Sequence, residues 1–572
     1  MQLAKAALFI YVVIMITLGY VAKRRTKNVG DFFLGGRAIG PWLSAFAYGT
    51  TYFSAVVFIG YGGKLGWGFG LHTMWIVLGN TLVGSLLAWW ILGRRTREMT
   101  SKLNAMTMPA FLAERFNAPA LKVVSALLIF IFLVPYSASV YKGLSSLFQE
   151  ALVLNETQAL WLMAILTGVY LVLGGYFAIT LTDFIMGLMM IFGVLVMLVN
   201  LTGSFGGIVH TTKLLANKTC SPMIGQTLPG GIPGWVFLAS LVVVTSLGAW
   251  GMPQMLQKLY SIKSGDQVKR AMIVASLFAL LVSFGAYYTG ALTHLAIPVR
   301  PGAVATSWAP SSTKFPVKTG PDGKPVIDLD AFPKQAPPDA GIRALVLPAM
   351  RMTPEPATHP GDYTFVGELP VKTGPDGKPI IDWDRWVPVF LAARLPAWVM
   401  LIIVLLVLSA SMSTLSSLVL VSSSAIAMDL YSGVVNPKVD KKNALVMMRV
   451  LCAVFVMLSL YIAKTSPAYI ITLMVISWGV LAGAFAAPYF YGLFWRRTTT
   501  LGVVMGMIAG VGSVIGLSWF LGEPGITGAD PGVPVAGAIG ILLPFLVVPI
   551  FSLISKPLPN KTLDRAFGRS SE

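Results

Sequence analysis

Apolar blocks of about 20 residues recur along the whole chain and are separated by short polar segments. An α-helix of this length crosses the ~30 Å hydrocarbon core of a bilayer. The pattern therefore predicts an all-α integral membrane protein with about 13 transmembrane helices. The predicted spans lie near residues 4–22, 41–63, 70–93, 121–148, 157–174, 179–203, 233–257, 271–297, 389–428, 444–464, 467–494, 500–521 and 534–555. We interpret the first of them as a retained helix, because no small-residue cleavage site follows it.

Two of the predicted spans contain helix-breaking residues at matching positions. Span 41–63 has a polar stretch, YGTTYFS, between Pro41 and a group of glycines, and span 233–257 contains Gly248, Gly251 and Pro253. Unwound backbone survives in a membrane only where it is buried in protein or lines a cavity. Paired interrupted helices in two halves of a chain indicate a transporter with its binding site near the midplane. Close helix packing at the glycines is the alternative.

Charge and composition support a membrane protein with a defined orientation. Only 11% of the 572 residues are charged and 56% are hydrophobic, yet the net charge is +19. The basic residues cluster at the ends of apolar blocks, as the positive-inside rule describes for cytoplasmic loops. The clusters fall within residues 23–27, 94–102, 258–270, 438–442, 496–497 and 556–569. They predict contact with membrane lipid rather than nucleic acid, an N-terminus outside the inner (plasma) membrane, and a C-terminus in the cytoplasm.

A polar segment, residues 298–388, interrupts the series of spans and is predicted to lie outside the cytoplasm. It contains a near-duplicate: FPVKTGPDGKPVID at 315–328 recurs as LPVKTGPDGKPIID at 369–382. A Pro-Asp-Gly turn between short β-branched stretches predicts a small hairpin in each copy. The segment is either a tolerated insertion or a lid.

Candidate functional residues lie within the predicted spans. An ionisable group such as Asp183 is rare in a membrane and indicates function, unless it extends to the interface. Span 389–428 is rich in serine and threonine, whose hydroxyls either stitch helices together or bind a partly dehydrated alkali cation. His72 lies three residues from Trp75 and either binds substrate, senses pH or packs in a hydrogen-bonded contact.

The sequence offers no feature typical of an enzyme. Its four histidines and two cysteines are dispersed, and no metal-ligand cluster, nucleotide loop or nucleophile–base arrangement occurs. We therefore predict no enzymatic activity and no cofactor.

Four stretches of the chain carry a family resemblance: DFFLGGRAIGPW at 31–42, GGYFAITLTD at 174–183, GMPQMLQK at 251–258 and SMSTLSSLVLVSSSAIAMDLY at 411–431. In their order and spacing they resemble the sodium:solute symporter family, the relatives of the proline, pantothenate, monocarboxylate, sugar and sialic acid symporters. The resemblance implies a LeuT-type fold with a five-plus-five inverted repeat and two interrupted helices. The implied order is an extra helix and loop (1–40), core helices 1 to 7 (41–297), the insertion (298–388), core helices 8 to 10 (389–494), and two extra helices with a tail (495–572).

The resemblance also implies two sets of site residues. Na⁺ would be bound by the backbone carbonyls of Thr50, Phe53 and Ala410 and the hydroxyls of Ser413 and Thr414, with Asp183 near that site. Substrate contacts would fall on Tyr52, Ser54, Val57, His72, Tyr136, Ser246 and Trp250. The chain departs from its relatives in places: Tyr52 stands where proline permeases carry an aspartate, and TYFSAVVFIG at 51–60 is closer to the pantothenate and monocarboxylate relatives.

These features together predict a secondary-active symporter that couples Na⁺ to the import of a small polar organic solute by alternating access. The solute is expected to be an amino acid (proline-like) or a monocarboxylate or pantothenate. A proton-coupled symporter of the same fold is one alternative, and a transporter-like solute sensor is another.

Overall fold

The computed structural model describes residues 33–152, 154–216, 221, 223–296, 384–436, 441–465, 470–521 and 531–568, together with parts of 10–17 and four short strands between 317 and 381. Within these residues the chain is almost entirely helical. The first predicted span, 4–22, and the first basic cluster, 23–27, therefore fall mostly or wholly outside the described residues.

The helices of the N-terminal part are α1 (Pro41–Tyr52), α2 (Gly62–Phe69), α3 (Met74–Thr81), α4 (Arg94–Lys102), α5 (Met108–Phe116), α6 (Pro119–Leu152), α7 (Glu156–Gly203), α8 (Ile208–Leu215), α9 (Gly234–Ser246), α10 (Pro253–Ser261) and α11 (Val268–Ala296). Those of the C-terminal part are α12 (Trp386–Arg394), α13 (Ala397–Ser424), α14 (Lys441–Thr465), α15 (Ile470–Phe494), α16 (Thr500–Leu521), α17 (Gly532–Ile554) and α18 (Asn560–Phe567). A short antiparallel pair, β1 (Thr227–Leu228) and β2 (Ile232–Pro233), precedes α9.

The first interruption predicted from the sequence is confirmed. Helix α1 begins with Pro41 at its first turn, where the missing N–H costs nothing. It ends at Tyr52, and Phe53 has an extended backbone with φ −110° and ψ 115°. The chain becomes helical again at Ala55 and continues through a π-helical stretch, Val56–Tyr61, into α2. The break thus lies inside the YGTTYFS stretch.

The second interruption is also confirmed. Helix α9 ends at Ser246, a 3₁₀ turn covers Leu247–Trp250, and Met252 is extended with φ −80° and ψ 118°. Pro253 then begins α10. Gly251 fits closely against α15, since a Cβ on it would come within 2.7 Å of the Ala482 Cα atom. Unwinding and close packing therefore occur at the same place.

The boundaries of several spans differ from the prediction. Predicted spans 41–63 and 70–93 leave residues 64–69 outside a helix, but the helix continues to Phe69 and the chain turns at Gly70, whose φ of +50° suits glycine. Predicted spans 157–174 and 179–203 lie in the single 48-residue helix α7. Ten helices of the described part are long and apolar enough to cross a membrane, so the count of about 13 stays a prediction.

The two hairpins predicted in the insertion are confirmed. Strands β3 (Val317–Thr319) and β4 (Pro325–Ile327) pair antiparallel, as do β5 (Val371–Thr373) and β6 (Pro379–Ile381). The register is the same in both copies, because Val317 faces Ile327 and Val371 faces Ile381. The duplicated sequence therefore gives a duplicated structure.

Helix α13 lies at the centre of the fold. It packs against α7, α6, α14 and α1, and α11 packs against α1 and α2. Its hydroxyl side chains from Ser409 to Ser424 are fully buried in the protein. This packing brings the hydroxyl-rich helix alongside the first interruption, while α16 and α17 pack on each other and on α15.

Candidate functional site

An oxygen-rich cluster joins the first interruption to α13. The Thr414 hydroxyl lies 3.3 Å from the Thr50 carbonyl oxygen, 3.2 Å from that of Thr51 and 3.0 Å from that of Ala410. One hydroxyl has a single proton, so it can satisfy one of these three carbonyls well. The break at Phe53 therefore leaves carbonyl oxygen atoms directed at α13 with unused accepting capacity.

Two further hydroxyl contacts complete this cluster. Ser413 Oγ donates to Thr50 Oγ1 at 2.7 Å, and Thr51 Oγ1 lies 3.0 Å from Ser417 Oγ. All of these side chains are at most 1% exposed. Buried neutral oxygens of this kind suit a partly dehydrated alkali cation, because they replace its water without binding it too tightly.

The structure brings together most of the predicted cation ligands. The carbonyls of Thr50 and Ala410 and the hydroxyls of Ser413 and Thr414 lie in this cluster, and Phe53 lies at the break itself. The Thr51 carbonyl also belongs to the cluster and was not predicted. Its position in the polar YGTTYFS stretch was the available signal.

Asp183 lies beside this cluster and faces a buried lysine. Its Oδ2 atom is 3.7 Å from Lys258 Nζ, and both side chains are 0% exposed. Lys258 Nζ also donates to Ser417 Oγ at 3.0 Å and lies 5.0 Å from the centre of the Tyr176 ring. Neither Asp183 oxygen has a well-formed hydrogen bond within the described part of the chain. The aspartate is thus held inside the protein and does not extend to the interface.

The assignment of Lys258 to a basic topology cluster is wrong. Lys258 lies inside α10, the second half of an interrupted helix, and its side chain is sealed between α7 and α13. In the sequence, Lys258 stands at the end of an apolar block. A lysine in a cytoplasmic loop would stand in the same kind of position, and this similarity led to the wrong assignment. Lys263, Lys269 and Arg270 of the same cluster are exposed.

A second group of predicted residues meets between the two interruptions. The Tyr52 hydroxyl donates to the Thr245 carbonyl at 2.6 Å and lies 3.3 Å from Asn80 Oδ1. Ser246 Oγ donates to the same Asn80 oxygen at 3.3 Å. Asn80 is 1% exposed and was not predicted. An amide within an apolar span was its only sequence signal.

Aromatic rings pack around Tyr52 in this group of residues. The Tyr52 ring stacks on Trp478 with centroids 5.9 Å apart, and Tyr136 meets Trp478 edge-on at 5.8 Å. Phe53 also stacks on Tyr52, with ring centroids 4.6 Å apart. Trp478 was not predicted, because the sequence does not distinguish a tryptophan at a binding site from one that only packs in an apolar helix.

The other predicted substrate residues have different surroundings. Ser54 is fully buried at the break, where its Oγ accepts the Val56 N–H at 3.2 Å, and Val57 is buried in the π-helical stretch. Trp250 Nε1 donates to the Val83 carbonyl at 2.9 Å. His72 is exposed in the 3₁₀ turn Gly70–Thr73, at the far end of α2 from the break. The structure therefore does not bring His72 to the site, because the turn at Gly70 directs it outward.

Two interrupted helices, a buried oxygen cluster and many apolar spans define a multi-pass membrane transporter. A solved structure of a Na⁺-coupled sialic acid symporter in its substrate-bound outward-open state superposes with a TM-score of 0.66 and 15% identity, covering 97% of this chain and 98% of that one. The chain accordingly has the LeuT-type fold with a five-plus-five inverted repeat, as the resemblance implied.

Sequence comparisons assign the family. The pattern of the sodium:solute symporter family matches residues 32–316 and 382–510. A sodium/proline symporter of Escherichia coli strain K12 is 25% identical over 565 residues, with 98% of this chain and 95% of that protein covered. A sodium/proline symporter of Haemophilus influenzae is 25% identical over 519 residues, with 89% and 86% covered. The chain belongs to the sodium:solute symporter family, and the prediction of sodium-coupled solute symport is confirmed.

Proposed function

We propose that the protein imports a small carboxylate-bearing solute together with Na⁺, and that an amino acid of the proline type is the first candidate. The names of the full-length relatives support this choice. The observation that carries it is the meeting of Tyr52, Asn80, Ser246 and Trp478 between two interrupted helices. Such a place offers a few directed polar groups on an aromatic surface, which is typical of small-molecule sites.

The restart of the first interrupted helix suits the carboxylate of the solute. The N–H groups of Ala55 and Val56 lie at this new helix start, where the helix dipole favours negative charge. At present they are bound by the hydroxyls of Ser411, at 3.3 Å, and Ser54, at 3.2 Å. A hydroxyl can turn aside for a carboxylate, so these donors are available to a substrate.

The remainder of the solute would lie against the aromatic rings. A proline-like secondary ammonium can interact with the faces of Tyr52 and Trp478 and donate to carbonyl oxygens at the interruption. The described contacts of these two residues include no acidic side chain. That environment also suits a monocarboxylate or pantothenate, which lack the ammonium and remain the second candidates.

Coupling would require Na⁺ as the only ion and no cofactor. We place the N-terminus outside the inner membrane and the C-terminus in the cytoplasm, from the distribution of lysine and arginine. One Na⁺ moving inward across 100 mV contributes ~2.3 kcal/mol, which can concentrate a solute about fiftyfold. The carbonyls of Thr50, Thr51 and Ala410 with the hydroxyls of Ser413 and Thr414 would bind this ion.

Uptake of a labelled solute panel into proteoliposomes tests the proposal. The panel contains proline, pyruvate, lactate, pantothenate and sialic acid, each with an inward Na⁺ gradient, an inward proton gradient or neither. We expect Na⁺-dependent accumulation of proline or, failing that, of a carboxylate. Uptake driven only by protons would establish the proton-coupled alternative. Binding without transport of any of these solutes would favour a sensor.

A further inference from the structure

A second group of buried oxygen atoms lies farther along α13, away from the first interruption. Ser417 and Ser424 are spaced seven residues apart, so they lie on one face of the helix. The helix then widens into a π-helical stretch, Ala425–Val435, which contains Asp429. The polar face of α13 thus continues from the cation cluster to a buried carboxylate.

Asp429 lines a small cavity between α5, α10 and the end of α13. The cavity lining also includes Gln257, Ser424, Thr107 and Tyr260. Asp429 is 2% exposed and Gln257 is 3% exposed. The space fits a particle about the size of a water molecule. A Na⁺ ion that has lost its water is no larger than this.

Two residues that line this cavity each carry a buried side-chain oxygen atom without a hydrogen-bond partner within the described residues. Thr107 Oγ1 donates to Asp429 Oδ1 at 2.7 Å, whereas Asp429 Oδ2 accepts no hydrogen bond. Gln257 Nε2 donates to the Phe33 carbonyl at 3.0 Å, whereas Gln257 Oε1 is also unpaired. Buried polar atoms without partners are costly and are uncommon in folded proteins. Both unpaired atoms are acceptors, so the group they fit is a cation or a donor.

We propose that Asp429 Oδ2 and Gln257 Oε1 form a transient Na⁺ site on the release path to the cytoplasm. The proposal rests on the Na⁺ symport and orientation proposed above. Carboxylate and amide oxygens are hard ligands suited to Na⁺. Ser424, which lines the cavity, lies on the same face of α13 as Ser417 of the cation cluster. A sodium ion leaving that cluster would contact this carboxylate before it reaches the cytoplasm.

The neighbouring lysine keeps such a site weak. Lys122 Nζ lies 4.0 Å from Asp429 Oδ1, on the side of the carboxylate that Thr107 also contacts. Its positive charge opposes a bound cation without occupying Oδ2. Conduction through a series of sites requires each to bind strongly enough to accept the ion and weakly enough to release it. The lysine therefore favours release.

The test measures Na⁺ dependence separately on the two sides of the membrane, in right-side-out and inverted vesicles carrying Asp429→Asn. The asparagine keeps an oxygen for Thr107 but removes the charge. We expect the half-saturating Na⁺ concentration for ²²Na⁺ exchange to rise fivefold or more on the cytoplasmic side. On the outer side we expect a change of less than twofold.

Glu114→Gln serves as the matched control, because it removes a negative charge from α5 outside the cavity. Its side chain is 43% exposed and pairs with Arg565. The proposal predicts no side-specific change in Na⁺ dependence for this variant. The proposal would be overturned by equal shifts on both sides, by a shift on the outer side alone, or by no shift with Asp429→Asn. The same side-specific shift with Glu114→Gln would also overturn it. Absence of ²²Na⁺ exchange in the wild type would instead refute the proposed symport.

Discussion

The buried pair of Asp183 and Lys258 allows a quantitative test of how charge is held in the core. At the observed separation of 3.7 Å, the attraction is about 4.5 kcal/mol for an effective dielectric constant of about 20. Removing each ion from water costs several kcal/mol. The attraction therefore offsets a large part of the desolvation cost of the pair, whereas either ion alone is strongly unfavourable.

We expect Asp183→Asn and Lys258→Met each to lower the free energy of unfolding by about 3–5 kcal/mol, because each leaves the other charge buried and unpaired. The double variant should recover most of the summed loss, which gives a coupling energy of about 4 kcal/mol or more. Unfolding by SDS in detergent micelles, followed by tryptophan fluorescence, measures all four proteins. A double variant as unstable as the sum of both single variants would refute this reasoning.

An exposed pair of the same chain serves as the control. Arg565 and Glu114 lie 2.7 Å apart, with side chains 56% and 43% exposed. Solvent screens such a pair, and its contribution to stability is at most ~1 kcal/mol. The variants Arg565→Met and Glu114→Gln should therefore change the unfolding free energy little, separately or together.

Transport by the same variants separates stability from function. We expect Asp183→Asn to lose at least tenfold in Na⁺-driven rate or Na⁺ affinity at matched surface expression, while Asp183→Glu retains part of the activity. If the carboxylate serves the cation path, the Asp183→Asn/Lys258→Met double variant will be stable but slow. Full transport by that double variant would show that Asp183 only balances the lysine.

Three further predictions concern the cation cluster, the substrate centre and the insertion. Ser413→Ala and Thr414→Ala should each raise the half-saturating Na⁺ concentration of uptake tenfold or more, ~1.4 kcal/mol, and unchanged Na⁺ dependence in the double variant would contradict the site. Tyr52→Phe loses the hydroxyl that donates to the Thr245 carbonyl at 2.6 Å, so the KM for the solute should rise about tenfold while the half-saturating Na⁺ concentration stays unchanged. An equal rise in the KM and in the half-saturating Na⁺ concentration would indicate general disruption of the protein. Replacing residues 312–382 by a short linker keeps the hydrogen bond from the Ile470 N–H to Asp384. This variant should bind the substrate with an affinity within a few-fold of that of the unmodified protein. Loss of binding by correctly inserted protein would show that the insertion acts as a lid.

The sequence by itself determined the features that depend on local physics. Apolar blocks long enough for the membrane gave an all-helical chain. The polar YGTTYFS stretch marked the first interruption and the segment from Gly248 to Pro253 marked the second, because backbone preferences act over a few residues. The duplicated PVKTGPDGKP segments gave two hairpins in one register for the same reason. The resemblance supplied the Ser413–Thr414 pair, which the structure places against Thr50.

Tertiary structure alone decided which polar groups meet. Lys258 had the same local pattern as a loop lysine, and only the packing of α10 against α7 and α13 joined it to Asp183 and to Ser417, 159 residues away. Asn80 and Trp478 have no local signal that distinguishes a binding centre from packing. His72, in contrast, had a suggestive type and spacing but was directed outward by the turn at Gly70. Contacts between distant segments depend on how helices pack, and the periodicity of a single helix contains no information about its partners.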